Sequence, residues 1–124
     1  METGLAEQPN RRAFIVPFIY EFLGSIFVML AFIMSGNTRF LTPESRAVAF
    51  LCGWIIASQI SGAHFNPAVS LAVYLFEGKF KEHMTYLIWV IVVQICGSYA
   101  GCLLSYIIMN PYFNIPRLIP RNDD

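Results

Sequence analysis

The amino-acid sequence predicts an all-α membrane protein with three transmembrane helices plus a re-entrant loop and half-helix. Three observations lead to this prediction. Apolar and aromatic residues make up 56% of the 124 residues and charged residues 13%, against about a quarter charged in typical soluble domains. Most of the apolar residues fall into three long runs, and a further apolar run is too short to cross a membrane. Lipid is therefore the expected surrounding for most of the surface.

The three long runs have, or approach, the length of about 20 residues that a membrane-spanning helix needs. They cover residues 13–35, 45–60 and 84–109. The first run is longer than the core of a signal peptide, which holds roughly 7–15 apolar residues, so we interpret it as a retained helix. The second is the shortest and carries Arg46 at its outer end.

The segment 61–76 is apolar, but polar residues stand near its start, namely His64 and Asn66. Its helical part begins at Pro67 and has 10 residues. At about 1.5 Å per residue it reaches only halfway across a hydrocarbon core of about 30 Å. Irregular backbone at that depth is tolerated only where protein or a water-filled cavity satisfies its polar groups. The segment therefore predicts a re-entrant loop followed by a half-helix.

The pair Asn66-Pro67 predicts where the half-helix begins. Asparagine is a preferred N-cap, because its side-chain oxygen accepts a backbone N–H of the first turn, and proline is favoured at the next position. The cap leaves the side-chain NH₂ of Asn66 as a donor beside the positive end of the helix dipole. This combination suits an uncharged, oxygen-bearing permeant and repels cations and protons.

The ten residues Ser61–Ser70, SGAHFNPAVS, resemble the first Asn-Pro-Ala loop of the aquaporin (major intrinsic protein) family. Glu21, in the setting Glu-Phe-Leu-Gly, is similar to the family's first-helix pattern, and Gln94 with Gly97 is similar to its third-helix pattern. The resemblance covers roughly residues 14–109. It implies one half of an aquaporin-like inverted-repeat bundle.

The resemblance also implies roles for particular residues. Asn66 would donate to the permeating oxygen, and the carbonyl groups of residues 62–65 would form a ladder of acceptors leading to it. Glu21 and Gln94 would support the pore loop from behind. The implied pore-lining residues are Gly62, Ala63, His64, Phe65, Asn66, Pro67 and Ala68.

The chain departs from the family pattern in two respects. It has a single Asn-Pro-Ala, without the second one and the arginine that follows it in the family's selectivity filter. The filter residue of the second helix usually stands about 20 residues before the loop asparagine, and that count falls on Arg46. Either the register shifts and Phe50 is the filter residue, or the filter is atypical.

The implied function is a passive channel for water or small neutral solutes such as glycerol, with one of its two pore repeats present here. The alternative is a non-conducting truncated membrane protein that assembles with or modulates full-length channels. Expected partners are the solute, the lipid bilayer, and other copies (a tetramer in the family) or a full-length paralogue. The resemblance implies a multi-pass protein whose tail 1–12 is cytosolic and whose exposed tail 110–124 is outside.

Other functions are disfavoured. A formal net charge of zero, from eight basic and eight acidic residues, argues against a nucleic-acid partner. The sequence has no phosphate loop, nucleophile–base pair or paired carboxylates, so we expect neither an enzyme nor a cofactor. His64 has no histidine at i+4, and we interpret it as a buttress of the loop rather than a metal ligand or a proton relay. The three cysteines lie in apolar stretches and are interpreted as packing residues.

Overall fold

The structure, a computed structural model, describes residues 11–37, 43–78 and 80–110. All regular structure in these residues is helical, which confirms the predicted all-α class. The helices are α1 (Arg11–Asn37), α2 (Pro43–Ser61), α3 (Pro67–Phe76) and α4 (Phe80–Met109).

Two of the described helices are long and apolar enough to cross a membrane. Their apolar parts are Phe14–Gly36 in α1 and His83–Met109 in α4, with mean hydropathies of 2.0 and 2.1. The second predicted span, residues 45–60, lies within α2, which has 19 residues and carries Glu44 in its first turn. α2 is long enough but is not apolar enough to be counted with these two helices.

Most of the two predicted tails lies outside the described residues. Residues 11 and 12 of the N-terminal tail begin α1, and Asn110 of the C-terminal tail forms a turn after α4. The predicted positions of residues 1–10 and 111–124 therefore stay expectations.

α1 packs against both α2 and α4, and α3 packs against α4. Glycines allow α1 and α4 to approach closely. A Cβ atom at Gly97 would stand 2.5 Å from the carbonyl oxygen of Phe22, and one at Gly101 would stand 2.8 Å from that of Ile26. Small residues one turn apart are a common means of close packing between membrane helices.

Aromatic rings join the end of α3 to the beginnings of α1 and α4. The ring centroid of Tyr86 lies 6.2 Å from that of Tyr74 and 5.0 Å from that of Phe18. Phe14 packs edge-on against Phe18 at 5.3 Å. This cluster fixes the C-terminal end of α3, while its N-terminal end points into the loop described below.

Candidate functional site

The loop between α2 and α3 has an unusual backbone. Gly62 has a φ of 88°, and two residues that are not glycine, Ala63 and Phe65, have φ values of 52° and 51°. A non-glycine residue in this left-handed region is destabilised by about 1–2 kcal/mol. The loop can keep this conformation only if the surrounding protein holds it, and its backbone N–H groups need partners outside the loop.

Glu21 of α1 accepts two of these N–H groups directly. Its Oε1 accepts hydrogen bonds from the backbone N–H of His64 at 3.1 Å and from the hydroxyl of Ser61 at 2.7 Å. Its Oε2 accepts from the backbone N–H of Phe65 at 2.8 Å and from Nε2 of Gln94, also at 2.8 Å. The side chain is only 1% exposed. Four donors thus surround one buried carboxylate, and charge-assisted hydrogen bonds of this kind are strong ones.

The hydroxyl of Ser61 connects the carboxylate of Glu21 to a third backbone N–H group of the loop. While it donates to Glu21, it accepts the backbone N–H of Ala63 at 3.1 Å. On the other side of the loop, the hydroxyl of Ser25 donates to the carbonyl oxygen of Phe65 at 3.4 Å. Three consecutive N–H groups and one carbonyl of the loop are therefore paired within the bundle.

Gln94 connects α4 to both α1 and α3. Besides Glu21, its Nε2 donates to the hydroxyl of Ser70 at 2.8 Å, and that hydroxyl lies 3.1 Å from Nδ1 of His64. Gln94 and Ser70 are both fully buried. Oε1 of Gln94 has no hydrogen-bond partner among the described residues, so the amide acts here through its NH₂ group.

The cap of α3 is formed as the sequence predicts. Asn66 has extended backbone angles, and its Oδ1 accepts the backbone N–H of Ala68 at 2.8 Å, with Pro67 in the first turn. The side chain of Asn66 is exposed, at the positive end of the α3 dipole. Because the cap uses the amide oxygen, the chemistry left to this side chain is hydrogen-bond donation by its NH₂ group.

The ring of Phe65 fills the space between α1 and α2. A Cβ atom at Gly24 would overlap this ring, and one at Gly53 would stand 3.2 Å from it. Phe50, one of the two filter candidates, packs edge-on against Phe65 with a centroid distance of 6.1 Å. Phe50 therefore contacts the loop through rings and lies outside the hydrogen-bonded group.

Arg46, the other filter candidate, lies against the end of α1. Its Nε donates to the hydroxyl of Ser35, and its guanidinium lies 4.4 Å from the ring centroid of Phe32. The structure thus places the two filter candidates in different surroundings, one beside the loop and one at the far end of the α1–α2 pair.

Three serines of the site were not singled out from the sequence, namely Ser25, Ser61 and Ser70. For two of them, the spacing in the sequence offers a signal. Ser25 stands four residues, one helical turn, after Glu21, and Ser70 stands in the same relation to Asn66, so each shares a helix face with a residue that was identified. Serine is common in membrane helices for other reasons, and this spacing alone is a weak signal.

Comparison with known proteins identifies the family. The model of the major intrinsic protein family matches residues 8–121. The chain belongs to this family. Major intrinsic proteins are integral membrane channels for water or small neutral solutes rather than enzymes, and the resemblance stated from the sequence is confirmed.

Several curated members of the major intrinsic protein family are similar to the chain. Aquaporin-8 of Rattus norvegicus is 38% identical over 102 residues, which cover 77% of this chain and 37% of that protein. Aquaporin-1 of Rhizopus delemar is 29% identical over 105 residues, 76% of this chain and 33% of that protein. An aquaglyceroporin of Toxoplasma gondii is 38% identical over 61 residues, 49% of this chain and 22% of that protein.

The chain spans about a third of the length of the first two of these relatives. No solved structure matches it.

Proposed function

We propose that this chain supplies one repeat of an aquaporin-type pore, a passive path for water or small neutral solutes such as glycerol. The observation that supports this most directly is the loop of residues 62–66. Its strained backbone is anchored to a buried carboxylate, and it ends in a capped half-helix with the amide of Asn66 exposed. Such a loop presents fixed donors and acceptors to a passing molecule without any covalent chemistry.

In this proposal the oxygen of the permeant accepts a hydrogen bond from the NH₂ group of Asn66. Backbone carbonyls of residues 62–65 accept its hydrogens, and Pro67 and Ala68 shape the wall at the start of α3. The positive end of α3 disfavours a cation or proton at the same point. Glu21 and Gln94 touch no permeant and keep the loop in position.

The proposed arrangement has α1, α2 and α4 crossing the bilayer, with the loop re-entering and α3 returning to its own side. The 10 residues of α3 cover about 15 Å, half of a hydrocarbon core of about 30 Å. A closed pore therefore needs a second half-helix from the other side. A second copy inserted in the opposite orientation, or the other half of a full-length channel, would supply it.

The test is stopped-flow shrinkage of liposomes that contain only the purified chain, with empty liposomes as reference, at two temperatures. We expect faster shrinkage with weak temperature dependence, because a pore replaces partition into lipid as the barrier. The variant Asn66→Asp is the matched control, since aspartate still caps α3 but has no NH₂ group to donate. Shrinkage at the rate of empty liposomes by a correctly inserted chain would contradict conduction by copies of this chain.

A second candidate function is a non-conducting partner of full-length channels. It is favoured by the open side of the loop: within the described residues α2 and α3 make no helix contact with each other, and Asn66 is exposed. A full-length channel could cover this side. The measurement is the water permeability of cells that express a full-length aquaporin with and without this chain, where a lowered permeability supports the candidate.

A further inference from the structure

One face of α1 continues from the residues that hold the loop to the C-terminal end of the helix. Glu21 and Ser25, which bind the loop, lie on this face. Phe32 and Ser35 follow Glu21 by about three and four helical turns, so they share the face. Leu23 stands about two and a half turns before Phe32 and therefore lies on the opposite side. A group bound to both Phe32 and Ser35 is on the loop side of α1.

Arg46 of α2 is bound there. Its Nε donates to the hydroxyl of Ser35, and its guanidinium lies 4.4 Å from the ring centroid of Phe32. Phe32 stands about two turns, or roughly 10 Å of helix, beyond Ser25, whose hydroxyl donates to the carbonyl of Phe65. A fixed positive charge thus lies on the loop side of α1, about 10 Å along the helix from the end of the loop.

Part of this guanidinium is left for a passing molecule. Among the described residues, only Ser35 accepts a hydrogen bond from it, and that bond uses Nε. The two NH₂ groups therefore stay available as donors. The ring of Phe32 beneath it is 48% exposed, so the described helices leave this side of α1 open. An uncharged permeant could accept a hydrogen bond here, whereas a cation would be repelled.

We propose that Arg46 is the residue of this chain that excludes cations on the outer side of the loop, and that it acts through its charge. This assigns the filter position that the sequence leaves open between Arg46 and Phe50. Phe50 packs on the ring of Phe65 and carries no charge. The inference rests on the proposed function, because it requires a path past the loop. Arg46 and the positive end of α3 then oppose cations at two successive points of that path.

The first test measures cation leak and shrinkage of liposomes that contain the purified chain and a trapped cation-sensitive dye. Arg46→Gln keeps an NH₂ donor but removes the charge. It should raise the leak about tenfold and change water flux less than about twofold, whereas Arg46→Lys keeps the charge and should keep the leak low. Arg12→Gln, which removes the same charge at the other end of α1, is the matched control. Circular dichroism checks that each variant keeps its helices.

A second test measures the charge itself and needs no flux. Phe32→Cys is introduced into a chain whose three native cysteines are replaced by serine, and the thiol is modified in detergent with anionic and cationic methanethiosulfonate reagents. The guanidinium should favour the anionic reagent, and adding Arg46→Gln should lower the ratio of the two rates roughly fivefold. Leu23→Cys is the matched control, since Leu23 is similarly exposed, at 56%, on the opposite side of α1. Its rates should not respond to Arg46→Gln.

Two results would overturn the proposal. One is an Arg46→Gln chain that conducts water with an unchanged cation leak, above all if Phe50→Leu raises the leak. The other is a rate ratio at Phe32→Cys that is the same with and without Arg46. Shrinkage of the unsubstituted chain at the rate of empty liposomes would instead contradict the channel proposal. The thiol rates would then still decide where the charge of Arg46 acts, so the two failures are distinguishable.

Discussion

At the scale of single residues, Glu21 has the largest influence on the site. A carboxylate in a membrane helix costs roughly 2.5–3.5 kcal/mol on insertion scales. Here two backbone N–H groups, one hydroxyl and one amide are hydrogen-bonded to it. Those N–H groups belong to irregular backbone, and leaving each unpaired in lipid would cost several kcal/mol. The buried carboxylate is therefore what allows this irregular loop to pack inside the bundle.

Glu21→Gln should destabilise the fold by about 2–4 kcal/mol, since a donor NH₂ group would replace one of the accepting oxygens and face other donors. The measurement is the free energy of unfolding in a detergent titration followed by circular dichroism. Glu77→Gln, at the exposed end of α3, makes the same chemical change and should shift the unfolding free energy by less than about 0.5 kcal/mol. Equal stabilities of the two variants would contradict the assigned role of Glu21.

Asn66→Asp separates the cap from the donor at the same residue. Aspartate caps as well as asparagine, so the unfolding free energy should stay close to that of the unsubstituted chain. Loss of a hydrogen bond of about 0.5–1.5 kcal/mol to the permeant should lower water flux roughly 2- to 12-fold, and the added negative charge should admit cations. Stopped-flow flux and a cation-sensitive dye trapped in the liposomes measure both effects. Unchanged flux and selectivity would mean that Asn66 does not line a pore.

At the scale of helices, the crossing of α1 and α4 determines the geometry of the site, because Glu21 and Gln94 meet across it. Their side chains are 2.8 Å apart only where the two backbones approach closely. Gly97, three residues after Gln94, makes that approach possible, because the Cβ atom of any other residue there would collide with the carbonyl of Phe22. Packing and polar contact are therefore coupled in this pair of helices.

Gly97→Val should force α4 away from α1 and cost about 1–3 kcal/mol of unfolding free energy, as overpacking usually does. Because the Glu21–Gln94 hydrogen bond spans the same crossing, water flux should fall as well. Cys96→Val places the same side chain at the exposed neighbouring position. It should change neither the unfolding free energy nor the water flux. Both variants are measured by detergent unfolding and by liposome shrinkage. A stable, fully active Gly97→Val chain would show that the crossing tolerates separation.

The sequence predicts the local parts of this arrangement better than the tertiary ones. Asn66-Pro67 determines the start of α3, because the cap uses atoms only two residues apart. The interior position of Glu21 follows from the cost of exposing a carboxylate to lipid. The left-handed backbone of Ala63 and Phe65 could not be predicted, since neither residue favours it and only contacts with other helices hold it. The docking of Arg46 on α1 is likewise a tertiary contact without a local signal.

At the scale of the whole molecule, the distribution of polarity is reversed relative to a water-soluble bundle. Its most deeply buried side chains are polar, and large apolar side chains are exposed on every helix described. In lipid this is favourable, because apolar surfaces gain nothing by leaving hydrocarbon and polar groups gain hydrogen bonds with one another. The three serines of the site follow this rule, although serine is too small and too widely tolerated for a sequence to mark it.

The number of membrane crossings decides whether the whole molecule has the proposed architecture. If α1, α2 and α4 all cross while the loop and α3 return to their own side, the two ends of each chain lie on opposite faces. If only α1 and α4 cross, as the hydropathy criterion alone indicates, both ends lie on the same face. We expect opposite faces, because Glu21 can hold the loop after α2 at mid-membrane depth only if α2 runs alongside α1.

Epitope tags at the two ends of the chain, exposed to protease outside sealed vesicles, measure this directly. Each chain should lose one tag and keep the other, even when copies insert in both orientations, because the comparison is made within single molecules. Vesicles opened with detergent, in which both tags are cleaved, provide the control for accessibility. Chains that lose both tags or keep both in sealed vesicles would mean that α2 does not cross. The loop could then not lie at the membrane centre. The proposal that the chain forms one repeat of a pore would be wrong, and so would the roles proposed for its residues.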